Sequence, residues 1–361
     1  MTRILIAGGG TGGHLMPALA IADALQALRP DVEPVLVGAE RGVEATLLPT
    51  RPYRYHLLPA QPIYRRQWWR NARWPLLLPR LWTACRRVLD AERPGCIVGT
   101  GGYAAGPMLF AAVRRGIPIA LQEQNACPGV ATRWTARWAR QVHLGFPEAR
   151  RLLRVGPATE VFAPGNPITP PEPRSRATAR EALGLSGTDP VVLVMGGSQG
   201  SRAINAAVAR ALDEGRLSGV VLLWSTGAAT HALHAGRHAP PMIQVRPFWD
   251  PIALAYAAAD VVVARAGAMT LAELAAWGLP SILIPLPTAA ADHQTANATA
   301  FAGAGAAVHL PESRLTGVEL ADAVHHVLGD PRRREAMAAA AGARGHPDAA
   351  RVIAERLLTL L

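Results

Sequence analysis

Short apolar runs alternate with helical hydrophobic patterns along almost the whole chain, and this alternation constrains the fold more than any other feature. Runs of this length suit buried strands, and a helical pattern between successive strands argues for parallel sheets built from strand–helix–strand units. The pattern predicts strands at 4–7, 35–38, 55–58, 97–99, 117–122 and 142–144, then at 191–195, 220–225, 243–245, 261–264 and 281–284. Helices are predicted at 15–28 and 203–212, and 316–361 is helical in pattern. The proline-dense segment 164–173 has no periodicity and reads as a linker between two halves. The expected fold is therefore α/β, with two doubly wound, Rossmann-like domains facing a cleft.

Three glycine turns follow predicted strands: Gly8-Gly9-Gly10-Thr11-Gly12-Gly13-His14, Gly99-Thr100-Gly101-Gly102-Tyr103 and Gly196-Gly197-Ser198-Gln199-Gly200. Glycine lets backbone approach a ligand closely, and the N–H groups opening a helix favour an anion. One such turn is weak evidence; three in phase with the fold suggest more than one phosphate group. A nicotinamide dehydrogenase would carry an acidic residue at the end of its second strand. Here that strand ends Val37-Gly38-Ala39-Glu40, too far along and past a glycine, which argues against that reading.

Other polar groups crowd predicted strand ends. In Arg265-Ala266-Gly267-Ala268-Met269-Thr270-Leu271-Ala272-Glu273, Thr270 and Glu273 have the spacing of a capping box. The same residues could instead present a helix N-terminus and Arg265 to a diphosphate, with Glu273 accepting from a ribose diol. Asp292-His293-Gln294 with Asn297, and Gln122-Glu123-Gln124-Asn125, could hydrogen-bond a sugar or simply cap and close loops.

Composition narrows the partners. The formal net charge is +11, every base is arginine, and the three cysteines, Cys85, Cys96 and Cys127, suggest neither a disulfide framework nor a zinc site. No metal site is expected. No apolar run reaches the length of a spanning helix, and Met1-Thr2-Arg3 leads straight into a strand, so the expectation is a cytosolic chain with an anionic partner. The partner is foreshadowed between Tyr64 and Arg87, where Arg65, Arg66, Trp68, Trp69, Arg70, Trp74, Leu77 and Trp82 belong to a band of seven arginines and four tryptophans. A solvated charged helix would not carry four tryptophans, nor a core element seven arginines. Arginine around tryptophan and leucine suits the headgroup layer of an anionic bilayer. It also suits single-stranded nucleic acid, but no groove-reading or base-stacking module accompanies it, so a nucleic-acid partner is not expected.

The motifs taken together resemble those of the MurG family of N-acetylglucosaminyltransferases in peptidoglycan synthesis. The resemblance is carried by 9–14, Gly101-Gly102-Tyr103, Glu123-Gln124-Asn125, Gly165-Asn166-Pro167, 196–200, 265–270, Glu273, and Asp292-His293-Gln294 with Asn297-Ala298, in order from Ile4 to about Ala304. It implies a GT-B glycosyltransferase, peripheral on the cytoplasmic face of the inner membrane. Such an enzyme moves GlcNAc with inversion from UDP-GlcNAc to the 4-hydroxyl of MurNAc in undecaprenyl-diphospho-MurNAc-pentapeptide (lipid I), giving lipid II. It implies an acceptor- and membrane-binding domain over 1–163, joined by a C-terminal helix at about 345–361, and a donor domain over 164–344. The Trp249 backbone, after Phe248, would meet uracil, and Glu273 the ribose. Ser198, Gln199, Arg265, Ala268, Met269 and Thr270 would serve the diphosphate region, and Gln294 and Asn125 the GlcNAc hydroxyls. Thr11, Gly12 and Gly13 would border the donor sugar, while Gly9, Gly10, Gly101, Gly102 and Tyr103 would hold the acceptor diphosphate. His14 is the first candidate for the base, or else shapes its loop, and Glu123 is the second. No cofactor is implied, a divalent cation being at most stimulatory; partners would include other cell-wall synthesis and division proteins. Two positions depart from the family pattern: Thr169 stands where an arginine is usual, and Gln122 where a histidine is common. Another UDP-sugar enzyme of the same fold, such as a UDP-GlcNAc 2-epimerase or a glycolipid synthase, is the alternative.

Overall fold

The computed structural model describes residues 2–62, 68–172, 175–185, 188–197 and 199–361, without the side chains of 68, 70 and 73. Arg65, Arg66 and Ser198, and the side chains of Trp68 and Arg70, lie outside the described residues. The chain forms two compact units, Met1–Thr169 together with Pro347–Leu361, and Pro170–His346.

The first unit is built on seven strands: β1 (Thr2–Gly8), β2 (Val32–Ala39), β3 (Arg54–Leu58), β4 (Cys96–Gly101), β5 (Ile119–Glu123), β6 (Gln141–Leu144) and β7 (Glu160–Phe162). All neighbours pair in parallel, in the order β3-β2-β1-β4-β5-β6-β7. Side chains alternate across a strand, so a continuous apolar run fills both faces. Ile4, Ile6 and Leu36 pack on one face with the helix Gly12–Leu28, while Leu5, Ala7, Val35 and Val37 pack on the other with helices Trp74–Glu92 and Gly102–Arg114. The C-terminal helix Ala349–Leu358 joins the first face through Ile353, Ala354 and Leu357, all fully buried. Gln141 Nε2 donates to the Arg356 carbonyl at 3.1 Å, and the Arg356 guanidinium lies 3.6 Å from the Phe162 ring centroid.

The second unit has six strands: β8 (Val191–Met195), β9 (Val221–Ser225), β10 (Ile243–Arg246), β11 (Val261–Ala264), β12 (Ser281–Leu283) and β13 (Ala307–His309). They are again parallel, in the order β10-β9-β8-β11-β12-β13. Its entry helix Arg176–Ala182 is fastened by Asp260, whose two oxygens accept from Arg176 at 2.6 Å and Arg180 at 2.7 Å, and which also takes the Val191 N–H at 2.8 Å.

Two edge strands, β7 and β13, are three residues each, too short for any periodicity to announce them. The proline-dense segment also behaves differently from a linker throughout. Residues 164–169 belong to the first unit, because the Asn166 side chain is buried and donates to the Gln124 carbonyl at 2.9 Å.

The strand orders decide where ligands can bind. In an open parallel sheet the crevice forms where the order reverses, at the carboxyl ends of the strands. In the first unit that point lies between β1 and β4, followed by 8–14 and 99–103; in the second it lies between β8 and β11, followed by 196–200 and 265–270. All three glycine turns and the Arg265 segment sit at these points.

Candidate active site

At the first switch point the two glycine loops are locked together. Gly9 N–H donates to the Gly101 carbonyl at 3.3 Å, and Gly102 has φ +80°, with any added Cβ only 1.7 Å from the Gly9 carbonyl oxygen. A Cβ on Gly101 would meet the His14 ring at 2.7 Å. No larger residue fits these contacts. Beneath the loop lies Glu44, a carboxylate absent from the sequence-level site. It is fully buried and accepts from the Gly10 N–H at 2.6 Å and the Ala39 N–H at 3.2 Å. Cβ atoms on Gly9, Gly38 or Gly42 would collide with its side chain. Helices Gly12–Leu28 and Gly102–Arg114 both begin here, and neither Thr11 nor Gly101 caps its helix with a side chain. Thr11, Gly12 and Gly13 thus offer a helix N-terminus, and Gly102 and Tyr103 a second; both favour an anion.

His14 is half-buried against the β4 loop. Its Nδ1 lies 3.0 Å from the Thr100 carbonyl oxygen and 3.1 Å from Gln124 Oε1, and Thr100 Oγ1 donates back to the His14 carbonyl at 2.8 Å. Among the described residues none bonds Nε2. Glu123 is placed otherwise. Its Oε1 accepts from the Asn125 N–H at 3.1 Å and Asn125 Nδ2 at 3.3 Å, and its Oε2 from the Gly129 N–H at 2.9 Å. Buried with both oxygens engaged, it fastens the loop bearing Asn125 rather than standing free as a base.

At the second switch point the helix Ala268–Ala276 begins at Ala268, with Gly267 as N-cap and no side chain capping it. This corrects the capping-box reading: Thr270 is inside the first turn, and Glu273 is a turn further along. Glu273 Oε2 accepts from the Tyr256 hydroxyl at 2.7 Å, and no described residue bonds its Oε1. Burial raises the Glu273 carboxyl above its usual range against the opposing effect of the Tyr256 hydrogen bond, and burial beside Glu273 pushes the Tyr256 phenol well up. The backbone N–H groups of Met269 and Thr270, in the first turn of this helix, face no described acceptor.

Arg265 is more structural than expected. Its guanidinium donates to the Ile284 and Pro285 carbonyls at 3.1 and 3.0 Å and to Ser201 Oγ at 2.7 Å, and it pairs with Glu312. It therefore ties three strand-end segments together, and its charge is shared with a carboxylate. Ser201 in turn caps the helix Arg202–Asp213 by accepting from Ile204 N–H at 3.3 Å, so the turn containing exposed Gln199 is held from both sides. Gln294 Oε1 accepts the Leu286 N–H at 2.9 Å, which aims its amide NH2 away from the backbone. Asp292, in the left-handed region with φ +52°, does not cap the helix after it but accepts from Thr295 Oγ1 at 2.6 Å. Trp249 is buried under the Arg246 guanidinium, 4.3 Å from the ring centroid, and Phe248 beside it is exposed.

The Trp/Arg band divides in two. Trp74 packs against the core and Leu77 is half-buried, whereas Trp69, Leu76, Leu78 and Trp82 are exposed. Trp82 continues into an aromatic row toward Trp138, a tryptophan–arginine segment the sequence already offered as an extension of the band, through Phe110, which the sequence did not mark. Phe110 lies 6.0 Å from Trp82 and 6.3 Å from Trp138, centroid to centroid, and all three are exposed. The Arg137 guanidinium sits 4.0 Å over Trp138, and neighbouring Trp134 is 73% exposed. No helix among the described residues is long and apolar enough to cross a membrane.

Comparison with known proteins agrees with this geometry in both halves. Residues 4–144 match the glycosyltransferase family 28 N-terminal domain, and 191–353 the family 28 C-terminal domain. A UDP-N-acetylglucosamine–N-acetylmuramyl-(pentapeptide) pyrophosphoryl-undecaprenol N-acetylglucosamine transferase of Salinibacter ruber is 42% identical over 364 residues, covering 99% of this chain and 96% of that protein. The enzyme of the same description from Chlorobaculum parvum is 40% identical, with 99% of each chain covered. Among solved structures, MurG of Acinetobacter baumannii superposes with a TM-score of 0.80 at 27% identity over 99% of each chain. A Listeria monocytogenes protein described as a putative UDP-N-acetylglucosamine 2-epimerase superposes at 0.68 with 14% identity, covering 99% of this chain and 94% of that one, a likeness of fold alone.

Proposed function

Since this chain belongs to the MurG family, within family 28 of the glycosyltransferases, we infer that it transfers GlcNAc from UDP-GlcNAc to the MurNAc of lipid I, giving lipid II for peptidoglycan synthesis. The observation that carries the reading is full-length relatedness together with both family motif sets falling on the switch points of their sheets.

The chemistry follows from the two sites. On the second unit, Glu273 Oε1 accepts from the ribose diol, and the N–H groups of Met269 and Thr270 in the first turn of the helix Ala268–Ala276 meet the diphosphate. On the first, the helix N-termini at Gly12 and Gly102 hold the acceptor diphosphate, and His14 receives the 4-hydroxyl. His14 Nε2 removes the hydroxyl proton as the oxygen attacks the sugar C1 from the face opposite UDP; the C1–O bond breaks and its electron pair leaves on the UDP phosphate. Attack opposite the leaving group inverts C1. Dipolar stabilisation of departing UDP supports a reaction without an added cofactor, which transfer measured with and without a chelator tests.

Membrane attachment is part of the same reading. The acceptor carries a polyprenyl chain, and the exposed Trp82, Phe110 and Trp138 row with its arginines suits an anionic headgroup layer. This supports peripheral binding, which we place at the cytoplasmic face on the family resemblance alone.

Transfer of labelled GlcNAc from UDP-GlcNAc to lipid I, or to a short-chain analogue, tests the assignment directly. The expected product is lipid II. Conversion of UDP-GlcNAc to UDP-ManNAc with no transfer would instead make the chain an epimerase.

A further inference from the structure

We infer that Gln124 is a positioning residue for His14, holding its imidazole in the Nδ1–H tautomer, and that Gln122 and Asn166 fix the direction in which Gln124 points. The consequence for turnover rests on the proposed role of His14 as base; the tautomer itself does not.

A peptide carbonyl oxygen only accepts. Gln124 Nε2 lies 2.7 Å from the Thr100 carbonyl oxygen and 3.1 Å from the Gln122 carbonyl oxygen. These must face the amide NH2 group, because the reversed amide would set oxygen against oxygen at both contacts. Gln124 Oε1 is then the atom facing His14 Nδ1 at 3.1 Å. Nδ1 also lies 3.0 Å from the Thr100 carbonyl oxygen, so both of its neighbours are acceptors and it carries the hydrogen. A neutral imidazole protonated on Nδ1 has its lone pair on Nε2, the nitrogen that no described residue occupies.

The polarity is reinforced one step further. Gln122 Oε1 also accepts from Gln124 Nε2, and Gln122 Nε2 donates to Asn166 Oδ1 at 3.0 Å. Asn166 Nδ2 donates to the carbonyl oxygen of Gln124 itself at 2.9 Å, so the circuit closes on the residue it orients. All three side chains are at most 3% exposed. A reversed amide would leave buried polar atoms mismatched. Gln122, in β5, and Gln124, just past its end, are joined directly by that side-chain hydrogen bond. The arrangement also accounts for glutamine at 122: it donates at one end and accepts at the other, as a neutral histidine does.

The test combines a spectrum with kinetics. Long-range proton–nitrogen correlation on the full chain with 15N-labelled histidine, at a pH where the ring is neutral, should show His14 with a protonated Nδ1 and an unprotonated Nε2. A wild-type spectrum showing Nε2–H overturns the proposal and requires no variant. In Gln124→Met, with only the Thr100 carbonyl left to accept from Nδ1, the preference for the Nδ1–H tautomer should weaken, kcat should fall roughly ten- to hundredfold, and the KM for UDP-GlcNAc should stay within about threefold. Gln122→His should retain both the tautomer and kcat to within a few-fold. An unchanged tautomer and unchanged kcat in Gln124→Met would refute the positioning role. His14→Ala separates the two readings: normal turnover there removes His14 as base, while the wild-type spectrum still decides what Gln124 does.

Discussion

Glu273 is held in a state that favours ligand over stability. Its folded carboxyl titrates above the unfolded value of 4.5, so the folded state binds this proton more tightly. Stability from this group is greatest in acid and declines as pH rises from about 4.5 through the raised value, leaving the ionised form a net cost at neutral pH. A ribose diol needs that ionised acceptor. Glu273→Gln keeps an oxygen for Tyr256 but removes the charge. We expect an unchanged or higher Tm at pH 7.5, with UDP-GlcNAc affinity weakened roughly ten- to hundredfold, from hydrogen bonds to a charged group worth about 1.5–3 kcal/mol. Calorimetric titration and thermal melting check both; a lowered Tm with intact affinity would make the residue structural only. Residues of this site differ in how readable they were. Gly101 and Gly102 were legible because their close contacts admit only glycine. Glu44 was not, because nothing near it in sequence shows that Gly9, Gly38 and Gly42 close around its carboxylate. Thr270 and Glu273 misled because capping-box spacing also occurs inside a helix that begins two residues earlier.

The strands were legible for a different reason: β1 and β8 are buried on both faces, so their apolar runs carry the signal themselves. Faces are harder to read than elements. In the helix Gly102–Arg114, Met108 and Leu109 are core while Phe110 points outward to join Trp82 and Trp138, which come from other segments. Only the fold assembles that row. Changing Phe110→Ser and Trp138→Ser together removes its centre without touching the core. We expect co-sedimentation with vesicles containing anionic lipid to drop at least about tenfold, since burying such a side chain is worth about 1.5–3 kcal/mol. Transfer to a water-soluble acceptor analogue should persist. Binding unaffected by both changes would move membrane attachment elsewhere on the surface.

Acid should weaken the whole molecule. Burial, with the nearby Arg356 charge, pushes His143 down to about 3 from an ordinary 6.5. Stability from keeping it neutral is complete above pH 6.5 and is lost as pH falls toward 3, by up to about 1.4 kcal/mol per pH unit. Burial acts in the same direction on His234 and His346 in the second unit. Burial alone would raise Glu92, but His56, Arg54 and Arg3 lower it overall, so its contribution fades only in stronger acid, below about 4.5. Tm should therefore fall steadily between pH 7 and 5, and His143→Gln should flatten that slope; an unchanged slope would place the acid sensitivity elsewhere. The same region of the molecule has a consequence in time. Ile353, Ala354 and Leu357 complete a core begun by Ile4 and Ile6, yet the intervening 170–346 form the other unit. A ribosome adding about 5–20 residues each second makes this interval last on the order of ten to thirty-five seconds. The unit begun first is therefore finished last, and its unfinished face must stay soluble until the final helix emerges.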